Sequence, residues 1–180
     1  MLPLTDFNDP TKGTLIHDEC LFGVEISVCN YSGKVECVPR PTKLEPSFIY
    51  TWKVANYSTL PDLCSSPEFA FGNHQWVIIL HPRGFGSEKG KSISFHLQLD
   101  DTCVRDQVYT EWKLRIKDQI HACHCEEEGG RLFSSTSMSW GWRNFLSLDD
   151  FHDASKGFLV KHTFIVELEI TRVSTIRSFS

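Results

Sequence analysis

Long apolar runs are missing from this 180-residue sequence. None approaches the ~20 residues that a membrane-crossing helix needs, so no membrane partner is expected. The first residues, MLPLTDFNDP, have no basic start and no apolar stretch behind it, and so do not read as a secretory signal. The expected compartment is the cytoplasm, with the nucleus as an alternative. Clusters of Lys and Arg are absent as well. With 18 basic residues against 23 acidic ones and a net charge of -5, the chain has no electrostatic footprint for nucleic acid. The seven cysteines lack framework spacing: Cys20, Cys29, Cys37, Cys64 and Cys103 are scattered, which suits a reduced protein with free thiols.

Catalytic signatures are equally scarce. No segment shows a catalytic nucleophile set at a helix N-terminus or on a strained elbow. Gly84-Phe85-Gly86 is not followed by a helical pattern, so it does not read as a phosphate cradle. The segment His121-Ala-Cys123-His124-Cys125 packs four metal-ligand types into five residues. Structural zinc takes two separated pairs instead. In a strand, Cys123 and Cys125 would face one side and His124 the other, so the ligands cannot converge locally. No cofactor and no metal are therefore expected, and no enzymatic activity. A thiol or zinc hydrolase built on these residues is the disfavoured alternative.

What the chain does have is alternation. Phe48, Tyr50, Trp52 and Val54 alternate with Ile49, Thr51, Lys53 and Ala55. His74 to Leu80 is a dense run, Ile93 to Leu99 and Tyr109 to Ile116 alternate, and Phe164, Val166, Leu168 and Ile170 make a last strand. Gly72-Asn73 reads as a turn, Gly129-Gly130 as a hairpin or flexible tip. One short helical turn falls between Ser147 and Lys156. The fold class is therefore all-β, with a sandwich favoured over a barrel because the spacings are uneven. Trp52 and Trp76 are assigned to the core. Trp140 and Trp142 flank a glycine and share a side, whereas the face of Trp112 is left open by its neighbours.

One segment occurs twice. LPLTDFNDPTKGTLIHDECLFGVEIS (2–27) and LSLDDFHDASKGFLVKHTFIVELEIT (146–171) share Leu, Asp, Phe, Lys, Gly and Glu-Ile positions at a constant offset. Each reads as an acidic turn, a Lys-Gly stop and a strand. The expected organisation is a fragment at 1–30, a linker at 31–45 with three prolines nearby, a main domain at 46–173 and a tail at 174–180.

The main domain resembles the MATH domain, the TRAF-like C-terminal fold. The resemblance is carried by Phe48-x-x-x-Trp52-Lys53-Val54-x-Asn56-Tyr57-Ser58, Gly72-Asn73-His74-x-Trp76, His81-Pro82-Arg83-Gly84, Ser92-Ile93-Ser94-Phe95-x-Leu97, Trp140-Gly141-Trp142-x-x-Phe145 and Asp153-x-x-Lys156-Gly157-Phe158. It implies an eight-stranded antiparallel β-sandwich with one short helix, plus an N-terminal helical-turn-and-strand fragment. That fragment looks like the C-terminal end of a preceding repeat, as in the tandem MATH proteins of plants. By resemblance the domain is an interaction module that binds short extended peptides of partner proteins, often as a docking unit in ubiquitin-linked or signalling pathways. The implied peptide groove takes in His96, Trp112, Trp140 and Trp142, with Leu132 or Phe133 at its edge. A His and a Trp stand where some members carry Tyr and Phe, so a known ligand motif does not transfer. Lys113, Arg115 and Arg143 are candidate contacts for an acidic or phosphorylated ligand, against a reading as solvated charge. The alternative function is a structural unit that pairs with other MATH repeats or with a second copy, since an unpaired strand edge invites partners.

Overall fold

The computed structural model describes residues 34–36, 47–100 and 107–179. The segment at 1–30 lies outside the described residues, as does most of the 31–45 linker. The rest is a sandwich of two antiparallel sheets of five strands each. Sheet one holds β1 (Lys34–Glu36), β2 (Phe48–Val54), β7 (Gln107–Ile116), β8 (Cys125–Phe133) and β10 (Phe164–Phe179). Here β10 is central: β7 flanks it on one side with β8 beyond, and β2 and β1 also pair with it. Sheet two holds β3 (Cys64–Ser65), β4 (Phe69–Phe71), β5 (His74–His81), β6 (Ser92–Leu99) and β9 (Ser139–Ser147). Its order is β3-β5-β6-β9, with β4 also on β5. The expected eight strands are thus present, and β1 and β3 are short additions of three and two residues.

Alternation decides which residues meet between the sheets. Along β7 the side chains of Val108, Thr110, Trp112, Leu114 and Ile116 are buried and their neighbours are not. From sheet two, Ile93, Phe95, Leu97 and Leu99 of β6 and Trp76, Ile78 and Leu80 of β5 come to meet them, all fully buried. Trp76 donates its indole N–H to the Phe71 carbonyl at 3.0 Å, so its one polar atom is satisfied inside the core. Trp52 is half-buried and packs against the cluster. The β4–β5 hairpin turns on Gly72 and Asn73, both at positive φ (61° and 62°), the geometry that matches the twist of the flanking strands.

The repeat's second copy forms the corner of the sandwich. Helix α1 (Leu148–His152) starts where the Ser147 hydroxyl accepts the Asp150 N–H at 3.1 Å. Its Phe151 is fully buried and meets the rings of Tyr57 and Phe164 at 5.0 and 5.2 Å. A 3₁₀ turn follows, and Gly157 ends it at φ 69°, as the Lys-Gly stop predicts. No other residue fits, since a Cβ there would lie 2.2 Å from Asp118 Oδ1.

Four expectations need correction. Gly129 and Gly130 are not a hairpin tip but lie mid-strand in β8, paired with Trp112 and Glu111. A Cβ on Gly129 would come within 2.9 Å of the Trp112 ring, so the glycine makes room for the indole. Residues 174–179, expected as tail, continue β10; beyond a bulge between Ile170 and Arg172 it stays paired with β7 as far as Ile176. Lys34–Glu36, placed in the linker, pair with Arg177–Phe179 of that extension. Finally, Cys123 and His124 are not in a strand. They belong to a loop gathered by Asp118, whose carboxylate accepts the backbone N–H groups of Ile120, His121 and Cys123 at 2.8–3.1 Å. Those N–H groups, that of His121 foremost, hold the Asp118 carboxyl below the usual carboxylate range.

Candidate peptide-binding edge

The two sheets do not end together. Among the described residues β9 is the last strand of sheet two and β8 the last of sheet one, and the two are not paired as strands. On β8 the inward phase is Cys125, Glu127, Gly129, Arg131 and Phe133, because these pair with the buried residues of β7. Yet Glu127 and Arg131 are exposed. Among the described residues no strand covers the inner side of β8 at Glu127 and Arg131, and side chains from β9 reach over toward its centre.

On β9, register settles the direction of each group. Trp140 pairs with Leu97 and Trp142 with Phe95, both core residues, so the two tryptophans share the inward side, as alternation predicts. The Leu99 N–H donates to the Met138 carbonyl at 2.9 Å. Keeping that phase, Trp140 and Trp142 bond to β6, and Ser139 and Gly141 turn their N–H and C=O groups to the other edge, which carries no strand among the described residues. Gly141 allows this close seat on β6: a Cβ would stand 2.0 Å from the Phe95 carbonyl oxygen and 2.5 Å from His96 Cα. Trp140 spans the gap, donating its indole N–H to the Leu132 carbonyl of β8 at 3.0 Å, while the Arg131 guanidinium lies 5.8 Å from its ring centroid. Trp142 sits edge-on to Trp112 and Phe145, at 5.9 and 5.8 Å.

The five candidate residues are thus not one surface. Trp140 and Trp142, both half-buried, form the wall on β9. Trp112 (2% exposed) and Phe133 (0%) lie beneath it in the core, in contact with each other at 5.7 Å, and Phe133 also meets Trp76. Trp112 touches the wall through its ring contact with Trp142. His96 pairs with Gly141 and so faces the opposite side of sheet two. There it belongs to a cluster with His81 and Phe85, at 5.9 and 6.1 Å, and the Arg143 guanidinium covers Phe85 at 5.5 Å. Burial, helped by the nearby His81 and Arg143, keeps the His96 imidazole below its ordinary pKa. Leu132, at 37% exposure, stands at the rim.

Of the cations singled out in the sequence, two are taken. Lys113 pairs with Glu128 and Glu126, and Arg115 with Glu167, Glu169 and Glu126, on the outer face of sheet one. A pocket of about 390 Å³ opens on that face beside Gly130. Its charged lining is internally paired, with Glu111 on Arg172 at 3.3 Å and Glu169 on Arg115 at 2.9 Å. Arg143 meets no carboxylate among the described residues. Arg131, which sequence reasoning passed over, also has no carboxylate partner there. Its signal in the sequence was weak: a charged residue in the inward phase of a strand is visible only once the register is known. Two buried polar atoms at this end of the core, Thr110 Oγ1 and Trp112 Nε1, have no hydrogen-bond partner among the described residues. In the Asp118 loop, His124 Nδ1 accepts the Asp118 N–H at 3.2 Å, and the Cys125 thiol points to the Phe145 carbonyl at 3.6 Å. Among the described residues no group of three or more His, Cys, Asp or Glu is arranged to hold a metal ion.

Comparison with known proteins agrees with this architecture. Over 136 residues the chain is 26% identical to ubiquitin C-terminal hydrolase 12 of Arabidopsis thaliana, which takes in 73% of this chain but 12% of that protein. A MATH domain and coiled-coil domain-containing protein of the same plant is 24% identical over 133 residues, 71% of this chain and 36% of its own length. A TNF receptor-associated factor family protein of Dictyostelium discoideum is 24% identical over 149 residues, 79% of this chain and 27% of its own. The chain thus spans between about an eighth and a third of the curated relatives it matches. Among solved structures, TRAF5 of Notothenia coriiceps superposes with a TM-score of 0.55 at 17% identity, covering 69% of this chain and 73% of that one, a likeness of fold. The family model described as MATH domain matches residues 49–170, from β2 into β10, and with that match over more than half of its length the chain belongs to the MATH domain family.

Proposed function

We propose that the domain is a non-catalytic interaction module that takes an extended peptide of a partner protein as an added strand on β9. The observation that carries this reading is the exposed pair Glu127 and Arg131 on the inner side of β8, beside a backbone edge of β9 that has no strand on it among the described residues. Ser139 and Gly141 offer main-chain donors and acceptors there, and a strand laid along them lies over Glu127, Gly129 and Arg131. Strand addition draws affinity from main-chain hydrogen bonds and specificity from alternate side-chain pockets. Trp140 and Trp142 give one pocket wall large, stiff contact area. The relatives named as ubiquitin hydrolases and as a TNF receptor-associated factor family protein support a docking or adaptor role in ubiquitin-linked or signalling pathways.

The test is peptide capture by the full chain and by Trp140→Ala. Trp140 is the better target because Trp142 packs on Trp112 and Phe145, and truncating it would loosen the core. The variant should keep its circular-dichroism spectrum and a cooperative melt yet bind selected peptides at least about tenfold more weakly, the loss of an interface anchor of roughly 1.4 kcal/mol or more. Undiminished capture by a folded Trp140→Ala chain would move the site elsewhere.

A further inference from the structure

The inward phase of β8 carries two exposed charges, Glu127 and Arg131, on either side of Gly129. Neither has an ion-pair partner among the described residues, whereas the outward-phase Glu126 and Glu128 of the same strand are both paired to Lys113. Inward-pointing charges on an edge strand discourage indiscriminate strand pairing. They also set terms for whatever does lie over them. A ligand strand over β8 partly desolvates both groups, and only a ligand with complementary charge offsets that cost. Resting on the reading of this edge as a peptide site, we infer that the ligand is an extended segment with one anionic and one cationic side chain four residues apart.

The spacing follows from the strand. Glu127 and Arg131 are four residues apart in the same phase, about 13 Å along β8 at ~3.3 Å per residue. A ligand strand facing them presents positions i and i+4 on one side. The anion belongs at the Arg131 end, where the guanidinium is already placed over the Trp140 ring and needs little ordering to form a forked contact with a carboxylate or a phosphate. The cation belongs at the Glu127 end. Between them, over Gly129 and the Trp112–Trp142 contact, the ligand carries a side chain of apolar character. The effect is specificity within peptides that bind through β9, and the two exposed charges are outside the core, so changing them leaves the fold in place.

The experiment exchanges the charges. Full-length chain and the double variant Glu127→Arg with Arg131→Glu are each immobilised and offered a degenerate library of 11-residue peptides, with the bound fraction read by mass spectrometry. A second library substitutes phosphoserine for Glu and separates the two anion sources. The unaltered chain should enrich peptides with an acid and a base at i and i+4 in one order, about 2- to 5-fold per charge. The double variant should enrich the reverse order. Enrichment of apolar or aromatic peptides with no charge pair, or the same order with both proteins, overturns this inference and leaves the peptide site standing. No enrichment from either library overturns both.

Discussion

At the scale of single residues, the face a side chain takes matters more than its type. His96 and the two tryptophans of β9 were grouped in the sequence because all three are candidate contact residues, and register then put His96 on the far side of Gly141. There it is a pH-sensitive group. Its imidazole is held below the ordinary value of 6.5 mainly by burial, with His81 and Arg143 adding to the effect. A lowered histidine pKa means that the unfolded chain takes up the proton first as the pH falls. The His96 contribution therefore leaves stability untouched above about pH 6.5 and lowers it as the pH drops from there toward the folded-state pKa. In His96→Gln, thermal midpoints measured from pH 7.5 to 5 should fall less steeply below ~6.5 than in the unaltered chain. Parallel curves for the two proteins would show that this imidazole is not held neutral by the fold. Trp112 teaches a related point: its face is open in the sequence because the polar Thr110, Lys113 and Arg115 are spread unevenly about it. The fold buries Trp112 and Thr110, leaving the Thr110 hydroxyl and the Trp112 indole N–H without partners among the described residues.

At the scale of elements, the strands that alternate cleanly were legible. β6, β7 and the first half of β10 follow their apolar period because both neighbours of each are strands and one face is buried. The helix corner was legible as well, since Ser147, the Asp-rich turn and Gly157 are start and stop chemistry. The edges were not. Edge strands are shaped by what they lack opposite them, so β8 carries charges and glycines in phases that a period-two reading takes for a loop. The extension of β10 and its partner β1 were missed for the same reason: their sequence has little apolar contrast and pairing alone defines them. Gly141 ties the edge to the rest. Its missing side chain lets β9 sit against the Phe95 carbonyl, so Gly141→Ala must push β9 away from β6. The expected cost is about 1–3 kcal/mol in chemical denaturation, with the transition still cooperative. A change below roughly 0.5 kcal/mol would mean that the two strands are less closely seated than described.

At the scale of the whole molecule, the sandwich has a closed half and an open half. Around α1, Tyr57 and Phe151 the sheets are stitched by buried rings; at β8 and β9 they are linked by the Trp140 indole N–H to the Leu132 carbonyl, the Cys125 thiol to the Phe145 carbonyl and the Trp112–Trp142 contact. Among the described residues, Glu127 and Arg131 stay exposed on the inner side of β8, next to a β9 edge with no strand paired to it. The proposed addition of a ligand strand rests on that asymmetry. The most direct measurement is an amide map of the isotope-labelled full chain during titration with a captured peptide. If a strand adds to β9, the amide resonances of Ser139 and Gly141 shift most and become protected from hydrogen exchange, with the Trp140 indole N–H moving alongside. Shifts centred instead on β2, or on the outer face around His96 and Phe85, with β9 unchanged, would contradict the placement of the site.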